Sequence, residues 1–159
     1  MYVHIFVPVM KIEEEIQQRK FKSVYHKAHI NVLFTASWLS QNSAQLLKPF
    51  KLSWQQFNIL RILRGMHPEP ATVKLLTERM IDKMSNASRL VEKLKQKGLV
   101  ERNVCPADRR RVDIEITGKG LEVLEDISRI MEEELTQRMS TLTSEEASQL
   151  NQLLDKLRC

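Results

Sequence analysis

Apolar residues recur at three- and four-residue spacing along most of this chain, and the period breaks in only a few places. From about Met10 to Leu47 the stripe Phe21, Val24, Tyr25, Ala28, Val32, Ala36 and Leu39 predicts one long helix. Phe34 and Trp38 extend its apolar surface to another side, so this helix needs more than one packing partner. Pro49 closes the segment. Ser53 and Gln56 then form an S-x-x-Q capping box, which predicts a helix over about 54–65 with Phe57, Leu60 and Leu63 inward and Gly65 past its end. After a loop at His67 to Pro70, Val73, Leu75, Leu76 and Met80 predict a short helix over about 72–81. A tight turn leads to a fourth helix over about 83–97, with Asp82 as N-cap, a buried set of Met84, Ala87, Leu90, Val91 and Leu94, and Gly98 as terminator.

Beyond Gly98 the period shortens to near-alternation. Residues 99–104 and 111–116 read as two strands joined by the polar segment 105–110, a hairpin with a polar tip. Thr117 then caps a long helix over about 118–140 carrying Leu121, Leu124, Ile127, Met131 and Leu135. Thr143 and Glu146 make a capping box for a last helix with Leu150, Leu153, Leu154 and Leu157. The fold class is mainly α with a small antiparallel β-wing.

Charge locates the functional face. The net charge of +5 over 159 residues hides an uneven distribution. Residues 51–120 hold 15 Lys and Arg against 8 Asp and Glu, whereas residues 121–159 hold 4 against 9. A polyanion would be drawn to the middle of the chain and repelled by its end. The length suits one domain with helical extensions. Two cysteines, Cys105 and Cys159, with no CxxC pattern, imply a reducing compartment, and cytoplasm is the default. Residues 1–9 are apolar but lack a basic n-region and a cleavage site, so they are read as an arm of unassigned role, with Met10 a second candidate start. No run approaches the roughly 18 apolar residues of a membrane span, so no membrane partner is expected.

Two helices joined by a tight turn, the second basic and followed by a hairpin, form a winged helix-turn-helix pattern. A helix about 10–12 Å across fits the DNA major groove while its opposite face stays in a core. Removing the apolar stripe from residues 83–97 leaves Lys83, Ser85, Asn86, Ser88, Arg89 and Lys93 as candidate DNA contacts. By chemistry Asn86 suits adenine, Arg89 suits guanine or phosphate, and Ser85, Ser88 and Lys93 suit backbone oxygens. Arg109, Arg110 and Arg111 at the hairpin supply cations for the adjacent minor groove, with Arg110 favoured for insertion and Asp108 as the ion-pair partner of another.

The ordered set Ser88-Arg89-Leu90-Val91-Glu92-Lys93-Leu94, Lys97-Gly98-Leu99-Val100-Glu101-Arg102, Asp108-Arg109-Arg110 and Ile116-Thr117-Gly118-Lys119-Gly120 resembles the MarR family of bacterial transcriptional regulators. The resemblance covers about residues 50–125. It implies a homodimer built from the terminal helices, binding double-stranded DNA at a pseudo-palindromic operator. It also implies repression relieved by a small aromatic or lipophilic effector, by oxidation, or sometimes by metal. Residues 10–48 and 118–159 become the helical dimerisation region and residues 49–117 the winged helix-turn-helix domain. The chain departs from the oxidation-sensing members, because no cysteine precedes Cys105. His26 and His29 lie one helical turn apart without a matching carboxylate or cysteine set, so no metal site is expected. Cofactors are not expected either.

His29, Phe34 and Trp38 are candidates to line an effector crevice, although aromatic residues at helical spacing also suit a core. Leu150 to Leu157 reads as a dimer seam, because both terminal regions are too apolar to pack only on a small head. Enzyme signatures such as HExxH, GxSxG, a P-loop or GxGxxG do not occur. The competing reading is a winged-helix protein-interaction module without DNA binding.

Overall fold

Short side chains set where most helices of this chain begin. The computed structural model describes residues 10–159 apart from Pro106 and Ala107, with the backbone alone for the rest of residues 105–111. Helix α1 spans Ile12–Glu15 and α2 spans Val24–Leu47. A 3-10 turn at Lys48–Phe50, with Pro49 inside it, precedes α3 (Trp54–Met66). The Ser53 hydroxyl accepts the Gln56 N–H at 3.2 Å and the Gln56 side-chain oxygen accepts the Ser53 N–H at 3.0 Å. This satisfies two amides that a helix start otherwise orphans. Thr72 caps α4 (Val73–Arg79), Asn86 caps α5 (Ala87–Gln96) and Thr117 caps α6 (Gly118–Met139). Thr143 and Glu146 reproduce the reciprocal box at α7 (Ser144–Leu157).

The chain divides into two units, residues 1–42 and 43–159. In the first, the single helix expected from Met10 is interrupted. Gln17 adopts φ 53°, its N–H bonds the Glu14 carbonyl at 3.3 Å, and the Gln18 N–H reaches the Glu13 carbonyl at 3.0 Å. That pair of bonds is a Schellman turn, which ends α1 without a glycine to announce it. The chain re-enters helix at Ser23, whose hydroxyl accepts the His26 N–H at 3.1 Å. Phe21 thus lies outside the helix, edge-on to the His26 ring at 5.6 Å. Val24, Tyr25, Val32, Leu33, Trp38 and Leu39 on α2 are exposed.

In the second unit α3 is the centre. It packs against α4, α5, α6 and the second strand of the wing. Phe57, Leu60 and Leu63 point inward as expected, and Ile59 is fully buried as well. Leu47, Leu76, Met80, Val91, Leu94, Ile114 and Leu124 complete the surrounding core. Strands β1 (Val100–Cys105) and β2 (Asp108–Ile116) pair antiparallel, in regular register from Val100 opposite Ile116 to Val104 opposite Val112. Ala71 adds one bridge at Ile114, with N–H to carbonyl distances of 2.9 and 2.8 Å.

Several boundaries differ from expectation. Gly65 lies within α3, which runs on to Met66. Helix α5 starts at Ala87 rather than 83, because Asn86 and not Asp82 is its N-cap. Met84, expected in the core, is 94% exposed as a result. Both strands also reach further into the hairpin than the alternation predicted.

Two glycines hold the junction of α5, β1 and α6. Gly98 at φ 70° closes α5 with a Schellman pair, its N–H on the Lys95 carbonyl at 2.8 Å and the Leu99 N–H on the Leu94 carbonyl at 3.1 Å. Gly120 packs so closely that a Cβ there would lie 2.2 Å from the Leu99 carbonyl oxygen. Gly98→Ala should therefore cost about 1 kcal/mol for its left-handed backbone, a fall of about 2–4 °C in Tm. Gly120→Ala should cost more, on the order of 3 kcal/mol, because the obstructing atom is backbone. Thermal melts of the two variants check the order, and a Gly120→Ala protein as stable as wild type would refute the close approach.

Candidate nucleic-acid interface

Helix α4 ends where Met80, buried in the core, turns to an extended backbone at ψ 142°. The next amide, of Ile81, donates to the side-chain oxygen of Asn58 at 2.9 Å. Asn58 is a buried polar residue on α3, so this bond pins the helix-helix turn to the centre of the unit. Asp82 then organises the approach to α5 by accepting the Met84 N–H at 3.1 Å and the Ser85 hydroxyl at 2.7 Å. These bonds, that from Ser85 first, hold the Asp82 carboxyl below its usual pKa, and Gln55 adds a further side-chain bond. Gln55, in the first turn of α3, escaped the sequence reading because no periodicity or motif marks it.

Along α5 the residues Ala87, Val91 and Leu94 are buried and Leu90 is half-buried. Ser88, Arg89 and Lys93 are exposed. An open groove on this side is lined by Gln55, Ser85, Asn86, Arg89, Leu90 and Lys93. The structure thus brings together Ser85, Asn86, Arg89 and Lys93. The Asn86 side-chain oxygen accepts the Arg89 N–H at 3.0 Å as the helix cap, which leaves its amide hydrogens as donors toward acceptor atoms. Lys83 is exposed but turns away, donating to the Glu78 carbonyl oxygen. Lys97 is partly buried, bonded to the Lys51 carbonyl and, at 3.3 Å, to Gln56. Those bonds tie it to the scaffold, and burial, then the nearby Lys93 charge, lower its pKa.

The wing lies against α5 through Arg102 and Glu92, 4.0 Å apart and about half exposed. Such a pair contributes little energy in solvent, and its value here is orientation. Beyond Val104 and Val112 the register jumps to Cys105 opposite Asp108, so residues 109–111 are inserted on β2. The expected loop at 105–110 is therefore strand backbone on either side of residues 106–107. The side chains of Cys105, Asp108, Arg109, Arg110 and Arg111, and with them the expected ion pair and inserted arginine, lie outside the described residues.

The three crevice candidates do not share a face. Phe34 and Trp38 are one helical turn apart on α2, but at about 100° per residue His29 lies roughly 140° from Phe34 and on the opposite side from Trp38. Phe34 is half-buried, and His29 and Trp38 are exposed. Among the described residues no group of three His, Cys, Asp or Glu side chains could hold a metal, and no helix is long and apolar enough to cross a membrane.

A helix-turn-helix pinned to a core, with a basic polar second helix and a two-stranded wing beside it, defines a winged helix-turn-helix protein. Residues 52–112 match the MarR family. Over 116 residues the chain is 27% identical to the HTH-type transcriptional repressor IacR of Pseudomonas putida, covering 73% of this chain and 68% of that protein. A MarR transcription factor from Planctomyces limnophilus is similar in structure, with TM-score 0.66 and 28% identity over 86% of this chain and 98% of that one. The fold is also that of S. aureus MepR in its DNA complex, with TM-score 0.73 and 23% identity over 85% and 96% of the two chains. The chain is thus similar to MarR-family transcription regulators, over residues 52–112 in sequence and over most of its length in fold.

Removing the Asn58 anchor by Asn58→Ala should lower stability by about 1–3 kcal/mol, since the Ile81 N–H loses its partner; denaturant titration measures this. For Asp82 the folded pKa lies below the unfolded value, so its contribution is complete above the ordinary carboxylate range. It is lost as pH falls through the lowered folded value. The stability gap between wild type and Asp82→Ala should thus be constant from neutral pH to about 5, and close only below the ordinary carboxylate value. A gap that widens on acidification would contradict the assignment.

Proposed function

We propose that this protein is a homodimeric repressor that binds a pseudo-palindromic operator and is released by a small aromatic or lipophilic effector. The observation that carries the reading is the outer face of α5, where Asn86, Arg89 and Lys93 line an open groove while the opposite stripe is buried. In this reading Asn86 and Arg89 meet base edges, and Ser85, Ser88 and Lys93 meet phosphates. Lys83 reaches phosphate only by leaving the Glu78 carbonyl. Arg109, Arg110 and Arg111 enter or flank the minor groove, with Asp108 restraining one of them.

Residues 49–117 form the reading head, and residues 10–48 and 118–159 form the dimer region. Exposed Leu135, Met139, Leu150, Leu153 and Leu157 support that assignment, since a partner subunit would remove them from water. An effector acts by changing the separation of two heads that must fit successive major grooves about 34 Å apart. Phe34 and Trp38 from one face of α2 are the candidates to contact it, and His29 would have to act from another side. The protein works in the cytoplasm, and no catalytic role is assigned. The basic α5 face favours this reading over a protein-interaction module.

Fluorescence anisotropy with duplexes recovered from a random pool tests the proposal. Arg89→Ala should weaken binding by about 1–3 kcal/mol and relax specificity at one base pair per half-site. Lys93→Ala should weaken all duplexes alike and reduce the slope of log K against log salt by about 1 for each phosphate it no longer neutralises. Unchanged affinity in both Arg89→Ala and Arg110→Ala would reject DNA recognition by this face.

A further inference from the structure

The turn between α4 and α5 carries two large apolar side chains in water. Met84 is 94% exposed and Ile81 is 65% exposed. Neither owes its position to a loose backbone, because the Ile81 N–H is bonded to buried Asn58 and the Met84 N–H to Asp82. Nor does the core lack for filling on this side: Ala87, Val91 and Leu94 complete the buried stripe of α5, and the chain leaves helical geometry before it reaches Met84. Met84 stands two residues ahead of the Asn86 cap, so it leads the same helix end whose polar groups line the groove.

The cations Arg89 and Lys93 on that face suit a polyanion rather than an apolar protein surface. Within the major groove only one base displays an apolar group, the C5-methyl of thymine. Methionine, unbranched and polarisable, adapts to such a contact. We propose that Met84, with Ile81 beside it, is a specificity-determining residue that packs on thymine methyl groups at the leading end of α5. This rests on the reading of α5 as a DNA-recognition helix. It adds an apolar readout to the polar one, and predicts that each half-site prefers T·A at one or two positions where polar contacts alone would not select it.

The test uses the full-length protein and the tightest duplex it recovers from a random-sequence pool. Each thymidine in a half-site is replaced singly by deoxyuridine, which removes the methyl and keeps every hydrogen-bonding group. Wild type should lose on the order of fourfold in affinity at one or two thymidines, the equivalent of one buried methyl each. Met84→Ser should bind the thymidine duplex more weakly and lose the discrimination at one of those positions, and Met84→Leu should regain it. The comparison of protein and base changes forms a double-mutant cycle, which cancels any effect of uracil on the duplex itself. Wild type indifferent to every replacement, or Met84→Ser retaining the full wild-type ratio, would overturn the inference while leaving DNA recognition intact. Failure of wild type to enrich any duplex at low salt would overturn the underlying reading and the inference with it.

Discussion

The hydrogen bond from the Ile81 amide to Asn58 is the constraint on which the reading head depends. A polar side chain on the central helix is kept from water only because it receives this backbone amide. The bond fixes the point at which α4 gives way to the turn. Everything downstream is measured from that point, namely the Asp82 turn, the Asn86 cap, and hence the rotation at which α5 offers Arg89 and Lys93 to solvent. An apolar residue at position 58 would leave the Ile81 amide without this partner.

The architecture divides rigidity and reach between different kinds of interaction. Buried leucines and isoleucines around α3 hold the elements together without direction, while a few short hydrogen bonds give them orientation. The wing shows the contrast. Its root is bound into the core by Val100, Ile114 and Ile116, and Ala71 extends the sheet at Ile114. Further out, the half-exposed Arg102 and Glu92 pair ties β1 to α5.

Much of this was legible locally. Ser53, Thr117 and Thr143 announce their helices, and Gly98 announces the end of α5, because each residue type has a chemical reason to be at that place. The misreadings share a different cause. Gln17 makes the same terminating turn as Gly98 but carries a side chain that usually avoids it, so the break between α1 and α2 leaves no mark. Asp82 and Asn86 are both good N-caps, four residues apart, and local pattern cannot choose between them. The bond from Ile81 to Asn58, 23 residues away in sequence, is likewise invisible to a local pattern. The strands outran their expected ends because residues 105–111, Cys-Pro-Ala followed by Asp and three Arg, do not alternate. The candidate residues Ser85, Asn86, Arg89 and Lys93 line one groove despite the shift in helix start. Their grouping with Gln55 required the tertiary structure.

At the root of the wing, the Thr117 hydroxyl donates to the Gly98 carbonyl at 2.8 Å and accepts the Gly120 N–H at 3.0 Å, while Lys119 reaches the Lys97 carbonyl at 3.1 Å. With no side chain at Gly120, the first turn of α6 rests directly on the backbone of Leu99. Where backbone rests on backbone there is no rotamer to rearrange, and so little mechanical slack. Any tilt of α6 is therefore passed on to the end of α5 and the base of the hairpin, which makes this junction a stiff bearing.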